Sequence, residues 1–270
     1  MINKDTKLCI SVSSRPSNFG TSVHNAGYKD LGINYIYKAF ETNNIKDTMA
    51  GVRALGIRGC SVSMPFKETV IKYLDTLDET ADKVGAVNTV LNESGQLIGY
   101  NTDVIGAKVA LESLKLNTKN KVLVLGAGGM AKAILYALNQ LGFTNIHVSN
   151  RSELNFEKLN NIFPCQFIKW DDRENESADI VINATSVGMS PEDDICPLSL
   201  EYIQNSNAII DVVLTPMETM LISMAKANNI KFVPGYLISL EQAMAQFQIY
   251  TGTPPNRNVM LNKVLELLNN

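Results

Sequence analysis

The most chemically suggestive run in the chain is Val122-Leu123-Val124-Leu125-Gly126-Ala127-Gly128-Gly129-Met130-Ala131. An apolar strand leads there into G-x-G-x-x-A, the pattern by which a strand turns sharply into a helix over a pyrophosphate. Gly126 permits the tight turn, Gly128 lets backbone approach the phosphates, and Ala131 keeps helix and strand close. Ala127, Gly129 and Met130 complete the loop. The helix start adds free N–H groups and the positive end of a dipole. At the tip of the following strand, NAD sites carry an acid for the ribose 2′-OH. Here the residues are Ser149-Asn150-Arg151-Ser152, with no acid. Arg151 can stack on adenine and pair with a 2′-phosphate, while Asn150 and Ser152 can hydrogen-bond it. NADP is therefore the expected cofactor, with Glu153 nearby as the one opposing charge. The bland alternative is a structural strand-turn-helix followed by an exposed arginine.

Positioning such groups calls for alternating strands and helices, and two β/α series are visible. In the first, strands are expected at 8–12, 35–40 and 59–64, with helices at 22–31, 45–55 and from Pro65 onward. Gly56 suits a helix C-terminus, and Glu93-Ser94-Gly95-Gln96 suits the turn of a hairpin over 89–100. A helix at 104–114 and a polar linker at 117–120 lead to the second series. Its strands are expected at 121–125, 145–149, 166–169, 180–183, 208–211 and 231–233, and its first helix at 130–141. Helices at 239–250 and 258–268 close the chain. The fold class is α/β, two-lobed, with mostly parallel sheets and helices on both faces.

Bulk properties exclude several classes. The 270 residues suffice for two cores, and the net charge of −3 comes without a basic run, so no nucleic-acid or acidic-membrane partner is expected. Cys9, Cys60, Cys165 and Cys196 lack metal-ligand or redox spacing, and His24 and His147 stand far apart, so no metal site is expected. No apolar stretch approaches the ~20 residues of a membrane span, and the N-terminus lacks a signal core. A cytoplasmic protein with reduced thiols is the expectation.

Further segments are too specific for packing alone: Ser61-Val62-Ser63-Met64-Pro65-Phe66-Lys67-Glu68, Gly85-Ala86-Val87-Asn88-Thr89 and Tyr100-Asn101-Thr102-Asp103. To these add Asn183-Ala184-Thr185-Ser186-Val187-Gly188 and the stretch from Gly235 to Gln242. Together with the glycine turn and Asn150-Arg151-Ser152, the order of motifs resembles the shikimate dehydrogenase family over essentially the whole chain. The resemblance implies a substrate-binding catalytic domain, 1–103 completed by helices within 238–270, and a Rossmann-like NADP-binding domain, 104–237, with the reaction facing a cleft between them. It implies interconversion of 3-dehydroshikimate and shikimate, within aromatic amino acid biosynthesis, by a monomer or homodimer. Lys67 matches the family's catalytic lysine and Asp103 its aspartate partner. Ser63, Asn88 and Gln242 match groups that hold substrate; Asn183, Thr185, Gly188 and Gly235 match positions beside the cofactor. Reducing a ketone needs a hydride and a proton for the developing alkoxide, and an ammonium beside that oxygen both stabilises charge and delivers the proton. A structural salt bridge is the plain alternative for a Lys/Asp pair.

The chain departs from the family in its acid-binding corner. Counting back from His24-Asn25, the family's two carboxylate-gripping serines fall on Asn18 and Gly20, with Thr21 in place of proline; a shifted alignment uses Ser14 or Ser17. Arg15 can pair with a carboxylate directly. Leu214 stands where the family has a tyrosine, and Ser61 and Ser63 replace asparagine and threonine. These differences resemble the shikimate dehydrogenase-like branch. Quinate or another cyclic acid is an alternative substrate, and an NADP-binding sensor with little catalysis is an alternative function. His24 is expected to be a packing or surface residue.

Overall fold

The structure, a computed structural model, describes residues 2–269, with the side chain of Lys158 left aside. The chain divides into two compact units, Met1–Thr102 with Leu240–Asn270, and Asp103–Ser239.

In the first unit the elements are β1 (Lys7–Ser13), α1 (Phe19–Asp30), β2 (Tyr35–Glu41), α2 (Ile45–Ala54), β3 (Gly59–Val62), β4 (Thr76–Leu77), α3 (Glu79–Val84), β5 (Thr89–Glu93) and β6 (Gln96–Tyr100). They form a sheet of order β2-β1-β3-β5-β6-β4. β1 runs parallel to β2 and β3, whereas β5 is antiparallel to both β3 and β6. Ile10, Val12, Met49, Val52, Val62 and Leu97 make its core. Local chemistry sets the ends. Asn44 caps α2 by accepting from the Asp47 N–H, and Gly56 beyond the helix takes φ +62°, where a side chain would be strained. Ser94 and Gly95, at φ +53° and +92°, make the tight turn between β5 and β6.

The helix expected from Pro65 onward does not form. Residues 63–66 close a turn, with the Phe66 N–H donating to Ser63 O at 3.0 Å, and the next helical piece is a short 3-10 helix, Thr69–Tyr73. Its run Thr69-Val70-Ile71 is β-branched and stiff, which disfavours a longer α-helix there.

The second unit contains α4 (Asp103–Ser113), β7 (Val122–Leu125), α5 (Gly129–Gln140), β8 (Ile146–Asn150), α6 (Glu153–Asn160), β9 (Gln166–Lys169), β10 (Ile180–Asn183), α7 (Leu200–Gln204), β11 (Ala208–Asp211), α8 (Met220–Ala227) and β12 (Lys231–Val233). Its sheet, β12-β11-β10-β7-β8-β9, is parallel throughout. Every residue of β7, β10 and β11 is buried, as befits parallel strands covered on both faces. The strand order reverses at β7 and β10, and the carboxyl ends of such strands are where this architecture binds dinucleotides. The chain closes with α9 (Gly235–Thr251) and α10 (Arg257–Leu268). α9 starts four residues earlier than its sequence pattern indicates. Gly235 lies against the Val213 carbonyl, a contact that leaves no room for a Cβ, and Leu237 N–H donates to Pro234 O at 3.1 Å.

Candidate active site

At the carboxyl ends of β7, β10 and β8 lies a cavity of about 450 Å³, within the size range of small-molecule sites. Gly126, Ala127, Gly128, Asn150, Arg151, Thr185 and Gly188 line it, alongside Trp170 and Ile195. Gly126 has φ +102°, and a Cβ there would meet Thr185 Cγ2 at 3.0 Å and Ala184 O at 3.1 Å. Gly128 is the N-cap of α5, without a side-chain cap, and a Cβ there would project into open space. A bare helix start beneath glycine is suited to phosphate, because the first N–H groups have no internal acceptor. Arg151 is exposed at the strand tip, placed to meet a 2′-phosphate. The residues present therefore fit NADP.

Not every residue expected at the cofactor lines this cavity. Ala131 is fully buried, with Gly129 and Met130 beside it on the first turn of α5. Ser152 is the N-cap of α6, accepting from the Asn155 N–H, and its carbonyl accepts from Asn150 Nδ2 at 2.8 Å. Gly235 packs against Val213. Asn183 is buried behind the wall: its Oδ1 accepts from the Thr185 N–H (3.1 Å) and Oγ1 (2.6 Å), and its Nδ2 donates to Val187 O (3.1 Å) and Asp211 Oδ1 (3.0 Å). Sequence analysis singled out neither Asp211 nor Trp170. The signal for Asp211 is a lone acid ending the apolar strand Ala208-Ile209-Ile210-Asp211.

In the first unit, backbone pairing gathers the remaining segments at the carboxyl ends of β1 and β3. Ser14 N–H donates to Met64 O, Ser63 N–H to Val12 O, and Val62 N–H to Asn88 O. The P-F-K segment is held to G-A-V-N by the Val87 N–H donating to Lys67 O at 2.7 Å. Asn88 has no exposed surface. Its Oδ1 accepts from Thr102 N–H (2.8 Å), Thr102 Oγ1 (3.1 Å) and Thr89 Oγ1 (2.8 Å), whereas its Nδ2 has no partner. A buried amide donor left without an acceptor costs about 1–3 kcal/mol. Asp103 follows Thr102 directly and begins α4.

Gln242 lies on α9, and one turn later Gln246, which sequence analysis passed over, is buried. Gln246 Nε2 faces Thr89 Oγ1 at 2.9 Å, Ser61 Oγ at 3.2 Å and the Asn88 carbonyl at 3.3 Å. The segment expected to bind the acid differs from expectation in its details. Asn18 is the N-cap position of α1 but makes no side-chain cap, and Gly20 sits within that helix. A Cβ on Gly20 would lie 3.1 Å from the Tyr37 ring, so this position serves close packing. His24 is a packing residue. It stacks on Tyr37 with centroids 4.4 Å apart, and burial pushes its pKa down to about 3. Gln246 opposes that shift without reaching hydrogen-bond geometry, since neither ring nitrogen has a partner.

Comparison with known proteins finds matches in both units. Residues 17–90 match the family model of the shikimate dehydrogenase substrate binding domain, and residues 108–191 that of shikimate / quinate 5-dehydrogenase. The shikimate dehydrogenase-like protein of Haemophilus influenzae is 43% identical over 258 residues, 95% of this chain and 94% of that protein. The chain belongs to the shikimate dehydrogenase family, on its shikimate dehydrogenase-like branch. The shikimate dehydrogenase (NADP(+)) of Methanocaldococcus jannaschii is 38% identical, over 98% of this chain and 99% of that one. A solved shikimate dehydrogenase in complex with NADP+ superposes with a TM-score of 0.90 at 35% identity, covering 99% of this chain and 98% of that one. The protein is thus an NADP-dependent oxidoreductase of the shikimate dehydrogenase type. No helix among the described residues is long and apolar enough to cross a membrane.

Proposed function

We propose that this member of the family reduces 3-dehydroshikimate, or a closely related cyclic keto acid, reversibly to the alcohol. NADPH bound on the glycine turn supplies the hydride. Lys67 gives the proton to the oxygen as negative charge develops there, and Asp103 holds the lysine ammonium in its working orientation. Asn88 and Gln242 hold substrate hydroxyls, with Ser63 and Ser14 at the strand ends beside them. The observation that carries this reading is the Asn88 amide: buried, its oxygen fully used, its nitrogen unpartnered, and tied by backbone to the P-F-K segment. That arrangement reserves a donor for a hydroxyl that arrives with a ligand.

One observation favours an acid other than shikimate as the better substrate. Gly20 is spent on packing against Tyr37, so a hydroxyl cannot be offered from that position. Ser14 and Arg15 then take the carboxylate. We place the reaction in the cytoplasm, where free thiols such as those of Cys9 and Cys60 persist, in a monomer or homodimer. The test is a panel of cyclic hydroxy acids with purified protein and NADP+, followed by the absorbance of NADPH. Turnover of shikimate or a near relative is expected. Tight NADP+ binding without turnover of any member would instead support a sensor.

A further inference from the structure

Asp211, at the end of β11, is fully buried and stands in register with Asn183 at the end of β10. Three donors converge on its carboxylate. Oδ1 accepts from Asn183 Nδ2 at 3.0 Å and the Val213 N–H at 3.1 Å; Oδ2 accepts from Thr219 Oγ1 at 2.6 Å. Two of these donors, Asn183 and Thr219, connect it to residues that line the cofactor cavity. Asn183 holds the Thr185 N–H and hydroxyl, and Thr185 Oγ1 accepts in turn from the Val187 N–H at 3.0 Å. Thr185 is the residue a Cβ on Gly126 would strike, so the far end of this chain of bonds touches the glycine turn. Thr219 caps α8 by accepting from the Ile222 N–H, and it lies against Gly188 on the cavity wall.

We propose that Asp211 is a positioning residue of the NADP site, its carboxylate holding Asn183 and Thr219 so that the Thr185–Gly188 wall stays set against the glycine turn. Only an acceptor on both oxygens satisfies the donors. The Thr219 hydroxyl already accepts from Ile222, so its hydrogen needs Asp211 Oδ2. An amide nitrogen or a protonated oxygen at that place leaves this hydrogen without an acceptor and forces the network to shift. Burial pushes the Asp211 carboxyl up to about 6, against the pull of Thr219, Val213 and Asn183. The Cys196 thiol senses its charge and is itself kept protonated by burial.

Equilibrium titration of NADP+ binding tests the proposal without reference to any substrate, and so separately from the proposed reaction. Asp211→Asn, folded by circular dichroism, is expected to bind NADP+ about five- to tenfold more weakly than wild type, a loss of roughly 1–1.4 kcal/mol. A merely structural role would move the melting temperature and leave the affinity of the folded protein alone. Should the variant not fold, a His147→Gln protein answers the same question. Of the two histidines it keeps only His24, whose pKa is near 3. Its affinity for NAD+, which lacks a titrating 2′-phosphate, is expected to weaken severalfold between pH 7.5 and 5 with a midpoint near 6. A folded Asp211→Asn that binds NADP+ within twofold of wild type overturns the proposal, as does a flat NAD+ profile. A wild type that binds no NADP+ overturns it together with the cofactor assignment.

Discussion

Asn88, just before β5, and Asn183, at the end of β10, are both fully buried, yet their hydrogen bonding differs in kind. Asn183 uses both ends of its amide within the protein, binding Thr185 with its oxygen and Val187 and Asp211 with its nitrogen. Asn88 uses its oxygen three times and its nitrogen not at all. The first is architecture: it shapes a wall that other groups present to the dinucleotide. The second leaves a donor open, which on the proposed function meets a substrate hydroxyl. On the proposed function the second unit binds the dinucleotide mainly through backbone shape and the first binds substrate through individual side chains, so substitutions around Ser14–Gly20 are expected to retune substrate without touching the cofactor.

The largest expected effect breaks the reserved donor. Asn88→Asp retains an acceptor for Thr102 but replaces the free N–H with a carboxylate oxygen. It should lower kcat/KM for the active substrate about a thousandfold, because a site built to hydrogen-bond a hydroxyl discriminates strongly. NADP+ affinity, measured separately, should stay within twofold. Next comes Arg151→Ala, expected to weaken NADP+ by about a hundredfold and NAD+ far less, since both lose the adenine stacking but only NADP+ also loses the ion pair on its 2′-phosphate. Equal losses for both dinucleotides would remove Arg151 from cofactor choice.

Acid separates the units in sign. His24 has its folded pKa near 3, below the ordinary 6.5, so the stability it contributes is complete above about 6.5 and is lost as pH falls. Asp211, raised from 3.8 to about 6, does the reverse: its contribution to stability grows as pH falls through 6 toward 4. Between pH 7.5 and 5 the first unit should lose roughly 2 kcal/mol from His24 and the second gain roughly 1 kcal/mol from Asp211. Hydrogen exchange resolved along the chain would show protection falling around α1 and β2 and holding around β10 and β11. His24→Phe should flatten the loss in the first unit. The smallest effect is Gly126→Ala, where positive φ and contact with Thr185 predict about tenfold weaker NADP+ binding.

How much of this was legible in sequence follows the same division. The second unit speaks through contiguous patterns: an apolar strand, glycines at fixed offsets, and a strand tip without an acid. The bounds of β9, β10, β11 and β12 match the residues expected of them. Short amphipathic pieces such as α3, α7 and α8 went unread, since a helix of one or two turns shows too little periodicity. In the first unit Pro65 suggested a helix start, but the turn onto Ser63 prevails. At Gly20 the sequence shows only a missing serine, whereas the structure sets the position close against the Tyr37 ring. Asp211 and Gln246 act through partners as distant in sequence as Asn183 and Asn88, and a linear pattern carries no trace of such bonds.

The central claim is that Lys67 supplies the proton in an NADP-dependent carbonyl reduction. Single-turnover kinetics of Lys67→Ala with NADPH and the keto acid identified by the substrate panel test it directly, alongside titration of NADP+ binding. The account predicts hydride transfer slower by about a thousandfold, the scale of a lost general acid, with NADP+ affinity unchanged within twofold. Hydride transfer at the wild-type rate would contradict it.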